Sequence, residues 1–168
     1  MSVIHVNEGD EADIEDIKAK LSEDAGTLDY LGVVSDSDPL DFPELYKMIK
    51  SVRPRGLKVM LVTEGCSPTI LDDLIGAGYI HALDLIVNKE LGEEQKRCIE
   101  IAKDNRCEFA ITIPARSHST DSISAMAPYC KGCFMFIIKQ DRTDPLKKNE
   151  MSPLVTAAKG ATWNVRTI

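Results

Sequence analysis

The chain has 168 residues, of which 43% are apolar and 28% are charged, a composition typical of a soluble globular domain. Its 20 lysines and arginines stand against 27 aspartates and glutamates, and the net charge of −7 argues against nucleic-acid binding, which depends on neutralising phosphates. No apolar run approaches the roughly 20 residues that span a bilayer, and the acidic N-terminus lacks the features of a signal peptide. We therefore expect one cytoplasmic domain over residues 1–168, with no membrane segment.

The predicted elements alternate along the chain between short apolar runs and amphipathic stretches. The apolar runs predict strands at Ser2–Val6, around Leu31, and at Leu57–Thr63, Ala82–Val87, Glu108–Ile113, Cys133–Lys139 and Trp163–Ile168. Helices are predicted at about 11–21, 41–52, 68–76, 93–104 and 120–127, and after Ser152-Pro153. The run at Leu57–Thr63 is almost unbroken, as expected of a parallel strand covered on both faces. This alternation predicts an α/β fold with a parallel sheet, most simply a partial TIM-like (βα)6 barrel.

Polar residues lie at or near the carboxyl ends of several of these strands, where ligands bind in parallel α/β folds. They are Asp36, Asp38, Glu64, Asp84 and Arg116. Clustered acids repel one another unless a cation or a ligand amine joins them, and an arginine can hold a carboxylate or phosphate bidentately. The alternative is that the acids are solvated loop residues and that Arg116 forms a surface ion pair.

The five cysteines are scattered along the chain, at Cys66, Cys98, Cys107, Cys130 and Cys133. An odd and dispersed set predicts reduced thiols rather than a disulfide framework. The last two form a CxxC motif, but a single pair without nearby histidines is a weak zinc signal. We favour structural or incidental thiols here, and likewise a structural role for His118 and His5.

Several segments together resemble the radical S-adenosylmethionine (SAM) superfamily, and most closely the activating enzymes of anaerobic ribonucleotide reductase and pyruvate formate-lyase. The matching segments are VVSDSDPL (33–40), GLKVMLVTEGCSP (56–68), LDDLIGAGYIHALDLIVNKEL (71–91), ITIPARSH (111–118), FIIKQ (136–140) and NVRTI (164–168). The resemblance implies a partial barrel that binds SAM at the end of the strand around Leu31, against Ser35, Asp36, Ser37 and Asp38. It places Asp38 where the family has a glutamate that holds the SAM amino group, and Asp84 on a family aspartate.

Two features depart from the family pattern. The CxxxCxxC loop that would hold an iron–sulfur cluster is absent, since no cysteine precedes Cys66. Asp36 and Ser37 also replace the glycine pair that lets the backbone approach SAM. Without the cluster ligands, we expect no [4Fe–4S] cluster and no homolytic cleavage of SAM.

Three functional hypotheses remain open at this point, and whether the protein is an enzyme is undecided. The first is a degenerate radical-SAM-like module that binds a small ligand, such as SAM or a nucleotide, or a partner protein. The second is an activase-type radical SAM enzyme with cluster ligands supplied elsewhere. The third is a non-radical enzyme that uses the acidic residues at the strand ends. Because an open barrel leaves sheet edges that invite pairing, a homodimer is also plausible.

Overall fold

The computed structural model describes residues 2–5, 30–35, 38–42, 45–52 and 58–168. The predicted helix at 11–21 lies outside the described residues, as do Asp36 and Ser37.

The described residues form one open, seven-stranded sheet in which each strand pairs in parallel with the next along the chain. The strands are β1 (Ser2–His5), β2 (Tyr30–Val34), β3 (Lys58–Thr63), β4 (Ala82–Ile86), β5 (Glu108–Pro114), β6 (Met135–Lys139) and β7 (Val165–Thr167). The predicted α/β fold with a parallel sheet is confirmed. Each predicted strand segment contains one of these strands, so the sheet has seven strands where the barrel prediction had about six.

Among the described residues, five α-helices accompany the strands: α1 (Leu45–Val52), α2 (Pro68–Gly76), α3 (Glu93–Asp104), α4 (Thr120–Met126) and α5 (Lys148–Ala161). A short 3-10 helix at Pro39–Asp41 precedes α1, and Asp38 caps it because its side chain accepts from Leu40 N. The start of α5 differs from the prediction. Helix α5 begins before Ser152 because Glu150 Oε2 accepts from Lys147 N at 2.9 Å and closes the first turn. None of the helices in the described ranges combines the length and hydropathy needed to cross a membrane.

The two faces of the sheet differ in burial. One face packs against the helices and supplies most of the core, with Leu31, Leu61, Leu85, Ile111 and Phe136 fully buried. On the opposite face Met60 and Val62 of β3 are partly exposed, whereas Ala110 and Thr112 of β5 are buried. Among the described residues, β3 is therefore less completely covered on this face than the prediction of a strand covered on both faces implies.

The sheet curves toward this less buried side. Tyr30 Oη on β2 donates to Glu108 Oε2 on β5 at 2.8 Å. Those strands lie three positions apart, about 14 Å along a flat sheet, so one hydrogen bond can join them only across a concave surface. We call this surface the concave face; it includes Met60, Val62, Asp84, Ile86, Ala110, Thr112, Met135 and Ile137.

Candidate functional site at the carboxyl rim and concave face

The turns that leave the carboxyl ends of β2 to β6, here called the carboxyl rim, are tied to one another by side chains. Asp38 joins the first two turns. Its Oδ1 accepts from Leu40 N at 2.9 Å and from Thr63 Oγ1 at 2.6 Å, and its Oδ2 accepts from Glu64 N at 2.6 Å. A carboxylate has about four lone-pair sites, and three donors of this chain already use them. Asp38 therefore has little capacity left for a ligand amine.

Glu64 and Gln95 extend these links to the next turn. Glu64 Oε1 accepts from Asn88 Nδ2 at 2.7 Å, while its Oε2 accepts no hydrogen bond from a described residue. Gln95 Nε2 donates to the carbonyl oxygens of Glu64 at 2.9 Å and of Ile86 at 3.1 Å. The exits of β3 and β4 are thus fixed, with one carboxylate oxygen left accessible.

Gly65 allows this turn to lie close to the sheet. Its φ is +78°, in the left-handed region, and a Cβ there would lie 2.9 Å from Leu85 Cδ1. Any side chain at this position would move the turn that carries Glu64.

His118 and Arg116 hold the farther turns of the rim. The buried His118 places Nε2 2.7 Å from Val87 O and Nδ1 3.3 Å from Ser122 Oγ, so its ring links the exits of β4 and β5. Arg116 forms an ion pair with Asp144, with 2.8 Å between Nη2 and Oδ1, and its Nε donates to Asp144 O at 3.0 Å. Both side chains are largely exposed, so this contact is a surface ion pair that binds the loop after β6.

Asp84 lies within β4, not in an exit turn, and belongs to the concave face. Its register neighbours are Val62 and Ala110, and its Oδ1 accepts from Thr112 Oγ1 at 2.7 Å. Burial raises the pKa of Asp84 above its usual range, although the Thr112 bond and the positive charge of Lys139 act in the opposite direction. A half-buried acid in apolar surroundings is held nearer to its neutral form than a surface acid.

The predicted site residues therefore fall into separate groups. Asp38 and Glu64 share the exits of β2 and β3, Asp84 sits on the concave face beside Thr112, and Arg116 pairs with Asp144. Ser35 follows β2 directly and is half-buried. The sequence reasoning missed Thr63, Asn88, Gln95 and Thr112. A polar residue at the last position of an apolar strand, as at Thr63, was the available signal.

All five cysteines lie in the described part of the chain and are free, with four buried and Cys66 half-buried. Burial is the main cause that raises the pKa of Cys66, Cys98 and Cys130 to about 12 and that of Cys107 and Cys133 to about 11. No group of three or more potential metal ligands comes together among the described residues. Because a [4Fe–4S] cluster is held by neighbouring thiolates, this set of protonated, dispersed thiols does not fit one.

Comparison with known proteins supplies a fold and no sequence family. No protein-family model matches the chain, and no curated protein matches it in sequence. Two crystal structures of Streptococcus suis SuiB, one of them bound to S-adenosylmethionine, each align with a TM-score of 0.65. The alignments cover 94% and 92% of this chain at identities of 16% and 13%. The chain shares the fold of the part of SuiB to which it aligns.

The extent of this likeness is limited. At such identities the similarity concerns the fold alone. The chain spans less than half of SuiB, because the alignments cover 41% and 42% of its length in the two structures. The likeness supports the fold that the sequence resemblance implies, a partial barrel of parallel strands. It gives no support to the closer resemblance to the activating enzymes.

Proposed function

We propose that this chain is a degenerate radical-SAM-like module that binds a small ligand, with SAM as the first candidate, where the concave face meets the carboxyl rim. It does so without a cluster on its own cysteines. The observation that carries the proposal is Asp84, a half-buried carboxylate on a surface lined by apolar side chains. A perturbed acid in a concave site is a recognised mark of function.

A cationic ligand suits the chemistry of this site. Burying an acid with only one hydrogen-bond donor costs stability, and a nearby amine or sulfonium would offset that cost. Glu64 offers its free Oε2 to the same ligand from the rim. Val62 and Ile86, both partly exposed, provide apolar surface for a ring such as adenine.

The remaining predicted residues take supporting roles in this proposal. Arg116 uses two of its five N–H donors on Asp144, so others remain for a ligand carboxylate. Ser35 follows β2 directly and would lie along the ligand. Asp36 and Ser37 remain candidates from the sequence alone. Asp38 acts indirectly, by holding the backbone of Glu64.

A non-radical enzyme that uses Asp84 as a general acid is the second candidate. The raised pKa of Asp84 favours it, because an acid that keeps its proton to higher pH can donate that proton to a leaving group. The activase hypothesis finds no such support in the described cysteines.

Calorimetric titration with SAM and S-adenosylhomocysteine tests the proposal, because only SAM carries the sulfonium charge. We expect the parent to bind SAM more tightly than S-adenosylhomocysteine. Asp84→Asn and Arg116→Gln should each weaken SAM binding roughly 10- to 150-fold, the loss of one charge-assisted hydrogen bond. The matched controls, Asp73→Asn and Arg97→Gln, remove exposed charges on helices α2 and α3, outside the concave face and the carboxyl rim, and should leave binding unchanged.

Two outcomes count against the proposal in different ways. A parent protein that binds neither compound rules out SAM-type ligands. SAM binding that both Asp84→Asn and Arg116→Gln leave unchanged would mean that the ligand binds elsewhere.

A further inference from the structure

A second concave region lies at the opposite end of the sheet, where the strands begin. It is an open depression of about 620 Å³ between the turn that precedes β6 and the end of α5. Its lining consists of Cys130, Lys131, Gly132, Cys133, Phe134, Lys159, Gly160, Ala161, Thr162 and Trp163. The parallel sheet separates this depression from the carboxyl rim, so a ligand here would be independent of the proposed function.

The lining is positively charged although the chain as a whole is acidic. Lys131 and Lys159 are exposed and form no hydrogen bond or ion pair with a described residue, and no acidic side chain lines the depression. Two unpaired cations on one small surface of a chain with net charge −7 form a local site for an anion.

The turn before β6 adds unused hydrogen-bond donors. Cys133 N donates to Cys130 O at 2.9 Å, and Gly132 has φ +86°, which makes a tight turn across Lys131 and Gly132. The backbone N–H groups of these two central residues donate to no described acceptor. Thr162 also lines the depression, and its hydroxyl makes no hydrogen bond with a described residue and is not among the fully buried polar atoms, so it is open to the depression.

Trp163 supplies an aromatic surface at the edge of the depression. The chain contains one tryptophan, and 85% of it is exposed, which makes it the most exposed large apolar residue in the described part. An exposed indole next to unpaired lysines can bind a planar ring that carries a phosphate group. The ligand's ring stacks on the indole, and its phosphate binds the lysine ammonium groups.

We propose that this depression, formed by Lys131, Gly132, Lys159, Thr162 and Trp163, is a binding site for an aromatic phosphate compound of the mononucleotide class. The phosphate lies against the two lysines and the turn amides. The base stacks on Trp163.

The single tryptophan makes the proposal directly measurable by intrinsic fluorescence. Trp163 fluorescence is excited at the red edge of indole absorption while AMP is added. This fluorescence should be quenched saturably, because the base covers the one indole of the chain. Adenosine and inorganic phosphate serve as separate probes, and each should bind at least about tenfold more weakly than AMP because each lacks one of the two recognised groups.

Variants separate this site from general charge effects. Lys131→Ala combined with Lys159→Ala should weaken AMP binding at least about tenfold. The control variant combines Lys147→Ala with Lys148→Ala, which removes the same number of exposed positive charges at the other end of α5. This variant should leave AMP binding unchanged. Trp163→Leu, followed by calorimetry, should weaken binding roughly 5- to 150-fold, the range for loss of one stacked base.

Three results would overturn the proposal. The first is an absence of saturable quenching by about 10 mM AMP, well beyond the dissociation constant of a weak, millimolar ligand. The second is an equal effect of the two double-lysine variants. The third is adenosine binding as tightly as AMP. Because all the substituted side chains are exposed, unfolding of the variants is not expected to obscure these results.

Discussion

Replacing Asp38 with asparagine tests whether this carboxylate ties the rim together. The carboxylate accepts hydrogen bonds from Leu40 N, Thr63 Oγ1 and Glu64 N at 2.6 to 2.9 Å. Asparagine keeps one acceptor oxygen but presents an amide donor in place of the other. That donor would face Glu64 N–H or Leu40 N–H, neither of which can accept a hydrogen bond.

The size of the effect follows from these contacts. Loss of a hydrogen bond to a charged group costs about 1.5–3 kcal/mol, and two opposed donors add a further penalty of about 1 kcal/mol. The Glu64 contact is exposed, so we take the lower half of that range, add the penalty for the opposed donors, and expect a destabilisation of about 2.5–3 kcal/mol. In a chain of this length each kcal/mol shifts the melting temperature by about 2–4 °C, which gives a decrease of about 5–12 °C.

Thermal unfolding followed by circular dichroism measures this difference. Asp41→Asn is the matched control, because Asp41 is exposed and its carboxylate accepts only from the half-buried Cys66 thiol, at 3.3 Å. The free energy of unfolding of Asp41→Asn should stay within about 0.5 kcal/mol of that of the parent. Equal melting temperatures for Asp38→Asn and the parent would refute the idea that Asp38 holds the exits of β2 and β3 together.

Three further predictions concern other buried groups. Burial raises the pKa of Asp84 in the folded protein above its unfolded value of 3.8, so the ionised side chain destabilises the fold more as pH rises above 3.8. Asp84→Asn should therefore have a higher free energy of unfolding than the parent at neutral pH, and this difference should narrow toward pH 3.8. If urea titrations show a difference in the free energy of unfolding that does not change with pH, the prediction for Asp84 is contradicted. His118→Ala should lower the free energy of unfolding by about 2–4 kcal/mol, since it leaves a cavity and frees Val87 O; an unchanged urea midpoint would mean that the ring contributes nothing. With an aromatic disulfide reagent at mildly alkaline pH, at most Cys66 should react in the folded protein and all five thiols after unfolding; rapid reaction of several native thiols would contradict their burial.

The sheet could be predicted from sequence because its strands follow a local rule. Apolar runs such as LKVMLVT recur between amphipathic stretches, and parallel pairing in chain order is the simplest arrangement for such units. The difference between the two faces was not predictable at β3. Met60 and Val62 are as apolar as Leu61, and their partial exposure results from the curvature of the whole sheet.

The candidate site was predicted only in outline, because its contacts depend on which turns meet. Asp84 was expected at or near the carboxyl end of its strand, and it lies close to the end of β4, which is Ala82–Ile86; that its side chain belongs to the concave face was not specified. The hydrogen bonds from Asn88 and Gln95 to Glu64 form only if the turns after β3 and β4 lie side by side. The short sequence patterns that predict strands and helices carry no information on this arrangement. The carboxylate of Asp38 was expected to face a ligand, whereas its donors come from this chain.

Amide NMR shift mapping during a SAM titration tests the central proposal most directly. If SAM binds where the concave face meets the rim, the largest shifts should occur at Val62, Glu64, Asp84 and Thr112. The amides of α3 that face away from the sheet should remain unchanged. Large shifts confined to the outer helices, or no shifts at saturating SAM, would contradict the proposal that this sheet binds SAM on its concave face.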